Sequence, residues 1–346
     1  MTSQPSGLGV QSTPASPLGA ALPALLTKLG PVLGLVFVVG LFGALRPGTF
    51  LTMGNVQLML LQTTVVGTAA LGMTLIIIAG GIDLSVGSTI ALTTVVIATL
   101  LAKFAGDVDA ETIGAMPALL AALGGVAVAA LAGLVIGLLV TRLKLMPFIV
   151  TLATWGAIRG GAKGAAHEQT VQAPESWINT MLAQPSAEMR WMIVAPGVWM
   201  LLVLSVVTAA ALRYTRFGRH VFAIGSNEQT ARLCGVRVEW TKTLIYTIAG
   251  VFFGLAGVLQ FSYLSVGDPT TANGLELDII AAVVIGGASL SGGRGSVTGS
   301  LIGALIMTAV ANGCTKCGLS NWVQAIVTGG IILLAVGIDK LRRAER

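Results

Sequence analysis

Charge is scarce in this sequence of 346 residues: Asp, Glu, Lys and Arg make up 10%, where soluble domains carry about 25%. Apolar residues reach 55% and mean hydropathy is +0.89, which excludes a soluble globular fold and marks a multi-span membrane protein. Histidine is nearly absent. The two present, His167 and His220, lie far apart, and neither HExxH nor GxSxG occurs, so intramembrane metallo- and serine-hydrolase chemistry has no support. No Gly-Lys dipeptide occurs anywhere, so no P-loop can be built and ATP is not hydrolysed by such a loop on this chain. The run Gly292-Gly293-Arg294-Gly295-Ser296 lacks that lysine and misses the dinucleotide pattern; it reads as a turn. Basic patches interleaved with aromatics, of the kind that hold single strands, are missing too, so no nucleic acid is expected.

Cysteine is also rare, with three in the chain. Cys314-Thr315-Lys316-Cys317 has a redox-like spacing, but no two further zinc ligands lie nearby and no thioredoxin-like βαβ pattern surrounds it. Two free thiols and a local disulfide both fit. Cys234 reads as a small apolar contact.

Glycine, by contrast, is abundant at 45 residues, about twice ordinary usage. In membranes small residues let helix backbones approach closely, and Gly133/Gly137, Gly250/Gly254 and Gly295/Gly299/Gly303 carry the four-residue spacing of such contacts. Apolar runs long enough for a bilayer, roughly 20 residues, predict an all-α polytopic bundle of about ten spans with Gly-interrupted segments. They are placed at 28–45, 56–79, 86–103, 117–140, 146–164, 193–212, 242–263, 277–290, 297–312 and 321–338. The eighth and ninth are short, so eight or nine spans plus re-entrant pieces is the alternative. Residues 1–26 are rich in Ser, Pro and Gly and lack Lys and Arg; without the basic start of a secretory signal they read as a disordered cytoplasmic tail. The membrane-spanning core then covers 27–340, and 341–346 forms a second cytoplasmic tail.

Loop charge orients the bundle. With both termini inside, the cytoplasmic side holds Lys28, Arg142, Lys144, six basic residues between 213 and 242, Arg294, Lys340, Arg342, Arg343 and Arg346. That leaves Arg46, Lys103, Arg159, Lys163, Arg190 and Lys316 outside, among the acids Asp107, Asp109, Glu111, Glu168, Glu175, Glu188, Asp268, Glu276 and Asp278. The excess of Lys and Arg inside is the one that membrane topology favours.

The stretch 213–242 is the one long polar segment within the apolar body. Ser226 as N-cap with Gln229 three residues on predicts a capping box, and Gly235 suits the left-handed close of a helix over 227–234. So short a helix is marginal alone. It is either a basic loop lying against lipid headgroups or an element presented to a separate cytoplasmic protein. A weak repeat also emerges: Gly80-Gly81-Ile82-Asp83-Leu84-Ser85-Val86-Gly87 and Gly286-Gly287-Ala288-Ser289-Leu290-Ser291-Gly292-Gly293 share the pattern GGxxLSxG. Paired Gly interruptions can mark the working centre of a transporter; tight turns capped by Asp83 or Ser291 are the plainer alternative.

Three ordered stretches, AGGIDLSVGS (79–88), GSNEQTARLCGV (225–236) and LDIIAAVVIGGASLSGGRGSVTGSLIGALI (277–306), resemble the ribose-type sugar permeases of ATP-binding-cassette importers. The similarity runs from about residue 30 to 338, and GIDLSVG points to the sugar rather than the branched-chain amino-acid branch. The resemblance implies a bacterial inner-membrane permease that pairs with a second permease copy, a cytoplasmic ATP-binding subunit and a periplasmic sugar-binding protein. It implies no cofactor and no enzymatic activity of its own. Gly225, Asn227, Glu228, Ala231, Arg232, Leu233 and Gly235 match the family's coupling helix, which docks on the ATPase. The resemblance also supports a part in translocation or gating for Gly80, Gly81, Asp83, Ser85, Gly87, Gly286, Gly287, Ser289, Ser291 and Gly293. Gln229, Thr230 and the CTKC turn depart from the family's pattern. The same machinery carrying a nucleoside, polyol or signalling carbohydrate is the nearest alternative; an ion-coupled secondary transporter would need relays that the spans, Asp83 apart, do not supply.

Overall fold

The structure, a computed structural model, describes residues 17–106, 112–183 and 194–344. Helices dominate because backbone at membrane depth must find its hydrogen-bond partners within its own segment. In order they are α1 (Pro17–Leu45), α2 (Pro47–Phe50), α3 (Met53–Ile78), α4 (Val86–Ala105), α5 (Ala115–Arg142), α6 (Pro147–Ala165), α7 (Pro196–Tyr214), α8 (Arg216–Ser226), α9 (Glu228–Leu233), α10 (Val238–Leu264), α11 (Leu275–Ile285), α12 (Val297–Lys316) and α13 (Asn321–Ala344). Among the described residues extended backbone makes only two single bridges, Thr112–Glu175 and Val171–Gly267.

Six of these helices, α3, α4, α5, α7, α10 and α12, are long and apolar enough to cross a bilayer. Residues 17–26, expected in a tail, instead open α1; residues 1–16, Asp107, Asp109, Glu111, Glu188 and Arg190 lie outside the described residues. The eighth expected span is also corrected. Over 277–290 the helix is α11, which stops at Ile285 after 11 residues, about 16 Å at about 1.5 Å per residue, roughly half of a hydrocarbon core.

Helix α3 is the axis of the bundle and is buried along most of its length. Three side-chain pairs join it to the antiparallel α12: Asn55 Nδ2 donates to Asn312 Oδ1 (2.9 Å), Thr63 and Thr308 share a hydrogen bond (2.7 Å), and Thr74 Oγ1 donates to Ser300 Oγ (2.7 Å). Such polar pairs hold helices together where lipid offers no hydrophobic drive. The glycine spacings serve the same end. Gly133 and Gly137 of α5 rest on Tyr246 and Thr243 of α10, while Gly250 and Gly254 of α10 rest on Ala129 and Val126. Gly299 and Gly303 of α12 lie against the backbone of Gly286 and Ala282.

Candidate functional site

The α7–α10 connection is more helical than its polarity suggested. Thr215 caps α8 by accepting from Gly218 N–H (3.2 Å), and α8 turns Gly218, Val221 and Ile224 inward. Ser226 is therefore the last residue of α8, not an N-cap, and the capping role falls to Asn227, whose Oδ1 accepts from Thr230 N–H (2.9 Å). The expected helix over 227–234 is a single turn and a half, Glu228–Leu233. Its close is as expected: Gly235 sits at φ +84°, with Val236 N–H bonded to Ala231 O (3.1 Å) and Gly235 N–H to Arg232 O (3.0 Å). This is the double bond of a Schellman end.

Neighbours hold this short helix. Ala231 packs with Ile224 and Val238 in a small apolar cluster. Glu228 meets Lys242 at 2.5 Å and Arg232 meets Glu239 at 2.6 Å, so both charged residues of α9 tie it to the first turns of α10. The hydrogen bond to Glu239 pushes the Arg232 guanidinium further above its ordinary range, and the pair stays charged at any physiological pH. Leu233 is left 87% exposed, beside the exposed Gln229, Thr230 and Cys234.

Gly225 connects this loop to the two Gly-Gly turns. A Cβ added at Gly225 would collide with the carbonyl oxygen of Ile78, the last residue of α3. The same oxygen accepts from Gly293 N–H at 2.8 Å, and Gly292 faces the Cα atoms of both Gly225 and Gly80 at a Cβ distance of 3.0 Å. The end of α8, the turn after α3 and the turn after α11 thus meet backbone to backbone. A hollow of about 280 Å³, lined by Ser226, Ser289, Ser291 and Arg294 among others, opens beside the meeting point.

The two turns are related, but one residue out of step with the expected repeat. After α3, Gly81 N–H bonds Ile76 O (2.9 Å) and Gly80, at φ +81°, bonds Ile77 O (3.0 Å). After α11, Ala288 N–H bonds Val283 O (3.1 Å) and Gly287, at φ +94°, bonds Val284 O (2.9 Å). Gly80 therefore corresponds to Gly287, not Gly286. The copies then diverge. Asp83, 1% exposed, accepts from Ser85 N–H (2.8 Å) and Ser85 Oγ (2.6 Å), directly ahead of α4. Ser291 caps nothing there; the cap of α12 is Ser296, which accepts from Gly299 N–H (3.0 Å).

Gly87 faces a third feature, a non-helical passage between α10 and α11. Gly267 lies on Thr94, Val95 and Ala98 of α4, whereas Ala272 and Glu276 reach Gly87. The segment thus runs antiparallel along α4 into the interior. Its carbonyls find partners there: Arg159 Nη1 donates to Pro269 O (3.0 Å) and Thr271 O (2.6 Å). Gln260 Nε2 donates to Thr271 Oγ1 (2.9 Å). Arg159 and Glu276, both expected on the outer side, are buried. The missed signal was a charge inside an apolar run, costly enough to need a buried partner. Among the described residues no His, Cys, Asp and Glu cluster could hold a metal, and the three cysteines are free, Cys314 packing beside Phe42 and Phe50.

A helical bundle with a capped polar loop at one end, and paired glycine turns meeting it, is the architecture of a multi-pass membrane protein. Residues 55–336 match the model of the branched-chain amino acid transport system / permease component family, and the chain belongs to that family. It is 35% identical over 327 residues to the ribose import permease protein of Escherichia coli K12, covering 92% of this chain and 96% of that one. The Bacillus subtilis ribose import permease protein is 37% identical over 321 residues, covering 92% and 95%. The L-arabinose ABC transporter permease of Azospirillum brasilense is 35% identical over 346 residues, covering 97% and 96%. No solved structure matches.

Proposed function

We propose that this chain is the permease subunit of an ATP-driven importer that carries a monosaccharide across the bacterial inner membrane. The observation that carries this reading is the near full-length similarity to permeases named for ribose and L-arabinose, with further relatives named for xylose and D-allose. The loop supports it from the structural side: α9 is capped at both ends, tied to α10 and exposes an apolar residue, Leu233. In this reading α9 docks on a separate cytoplasmic ATP-binding subunit. Gly225 passes the resulting movement to the turns at Gly80 and at Gly287 to Gly293, which gate the path rather than grip the sugar. Asp83 and Ser85 fix the start of α4 at that gate.

The end bearing α9 is then cytoplasmic, with both termini on that side. Nine helices (α1, α3 to α7, α10, α12 and α13) and a composite passage, 265–274 plus α11, make up the ten crossings. Two permease copies and a periplasmic sugar-binding protein complete the importer. Proteoliposomes containing the permease, the ATPase and the binding protein test the reading. Uptake of D-ribose, L-arabinose, D-xylose or D-allose should require ATP and all three components. Uptake by the permease alone would instead make it a secondary transporter.

A further inference from the structure

A cavity of about 400 Å³ opens between α3, α10, α11, α12 and the start of α13, at the end of the bundle away from α9. Its long axis follows α12, from Thr308 at the floor to Lys316 at the mouth. Most of the wall is apolar, including Val65, Val66, Leu275 and Met307, yet Gln62, Gln260, Asp278 and Asn312 converge on it from α3, α10, α11 and α12. We propose that this cavity is the monosaccharide chamber of the transport path, with Gln62, Gln260, Asp278 and Asn312 meeting the sugar hydroxyls. The inference rests on the importer reading above and deepens it.

The argument is chemical. A gap meant for acyl chains would be lined by apolar side chains, because amides and carboxylates at membrane depth are costly. A neutral polyol presents hydroxyls that both donate and accept, together with apolar C–H faces, and a mostly apolar pocket with a few placed polar groups suits it. The surrounding bonds pre-set what each group offers. Asn55 donates to Asn312 Oδ1 at 2.9 Å, which turns the Asn312 amide hydrogens toward use as donors. The Gln260 amide donates to Thr271 Oγ1 at 2.9 Å, leaving Oε1 as an acceptor. Asp278 adds an acceptor at the floor and Gln62 a group of both kinds. Tyr263, also in the wall, supplies an aromatic surface for the C–H face.

Behind Gln260, Arg159 holds the carbonyls of Pro269 and Thr271, the residue whose hydroxyl takes the Gln260 amide. Below the floor the path is closed by packed α11 and α12, where Gly303 abuts Ala282. Helix α11 carries Asp278 near one end and runs into the Gly287 turn at the other, about 13 Å away at about 1.5 Å per residue. One short rigid helix therefore joins the chamber floor to the glycine junction beside α9.

The test uses the complete transporter in proteoliposomes, with D-ribose, L-arabinose, D-xylose and D-allose as probes. The variants are Gln62→Met and Asp278→Leu, which keep side-chain size and remove the hydrogen-bonding groups. Each should assemble with the ATPase, retain ATP hydrolysis stimulated by loaded binding protein, and import the transported probe at least tenfold more slowly or with an altered preference among the four. Unchanged uptake by both variants overturns the chamber, leaving it a lipid-filled gap. Unchanged uptake per complex with an altered oligomeric state overturns it in favour of a contact between copies. Should Asp278→Leu fail to assemble, Gln62→Met decides alone. If the wild-type complex imports none of the probes, the importer reading for these sugars fails first, and that failure is distinct from a chamber variant losing uptake beside an active wild type.

Discussion

At the residue scale, two glycines of the same loop carry opposite reasons for being glycine. Gly235 needs its left-handed backbone but has open space around its Cα, whereas Gly225 lies within a backbone contact that leaves no room for a Cβ. Gly235→Ala should cost about 1–2 kcal/mol of local stability and leave most ATPase binding in place, read by co-purification. Gly235→Val, whose branched side chain tolerates that conformation worse, should lower it further. Gly225→Ala must move α8 away from Ile78 and the Gly293 turn, and should abolish sugar-stimulated ATP hydrolysis while the chain still inserts. Asp83→Asn makes the complementary test. Asn keeps an oxygen for Ser85 N–H, so the variant should insert, assemble and transport near normally, losing about 1 kcal/mol of stability. An Asp83→Asn protein that hydrolyses ATP yet moves no sugar would put the Asp83 charge on the pathway. The sequence made Gly235 legible because helix ends leave a local signature. Gly225 was legible only through resemblance, since its partners, Ile78 and Gly293, are brought to it by tertiary packing.

At the element scale, the long helices could be read from their apolar runs, but the loop and the broken passage could not be read as well. Helix α8 was missed because its composition is polar and basic, and its inward face is only Gly218, Val221 and Ile224. The cap fell on Asn227 rather than Ser226 since either residue can cap and packing of Ile224 and Ala231 decides the register. The eighth span was overextended because apolar composition continues past Ile285 into a turn whose backbone is satisfied by its neighbours. The glycine repeat was likewise visible, though its register was shifted by one because the duplicated letters do not say which Gly takes φ above zero. The passage from Gly267 to Glu276 depends on Arg159. Replacing Arg159 with Met leaves the carbonyls of Pro269 and Thr271 without their donor, a loss of about 1–3 kcal/mol for each buried group left unsatisfied. Thermal unfolding in detergent should show a lowered midpoint, and uptake should fall with it. A variant of unchanged stability would mean that the passage holds itself without α6.

At the scale of the whole molecule, the parts form one line of force. Gly225 meets the turns after α3 and α11, α11 leads to the interior, and in the proposed reading the exposed end of α9 meets the ATPase. Basic residues crowd the α9 end, the charge placement that the proposed cytoplasmic orientation requires. Of the nine acids expected at the opposite rim, Glu276 is buried and Asp278 lines the interior cavity, so neither contributes there; Glu168 and Glu175 remain outside the long helices. Exposed rim charges mainly set association rate and its salt dependence. Raising ionic strength should accordingly slow docking of the binding protein, measured by surface capture on reconstituted transporter, and salt-independent docking would remove these acids from recognition. The central claim is that ATP hydrolysis on a separate chain reaches the membrane path through the Gly225 contact. The most direct measurement is ATP-dependent sugar uptake in proteoliposomes of the assembled transporter, wild type against Gly225→Ala, with ATPase content matched. The account predicts that the variant retains the ATPase or loses it, but in either case loses ATP-dependent uptake, while the wild type imports only with ATP present. Wild-type uptake by Gly225→Ala, or uptake by the permease without any ATPase, would contradict it.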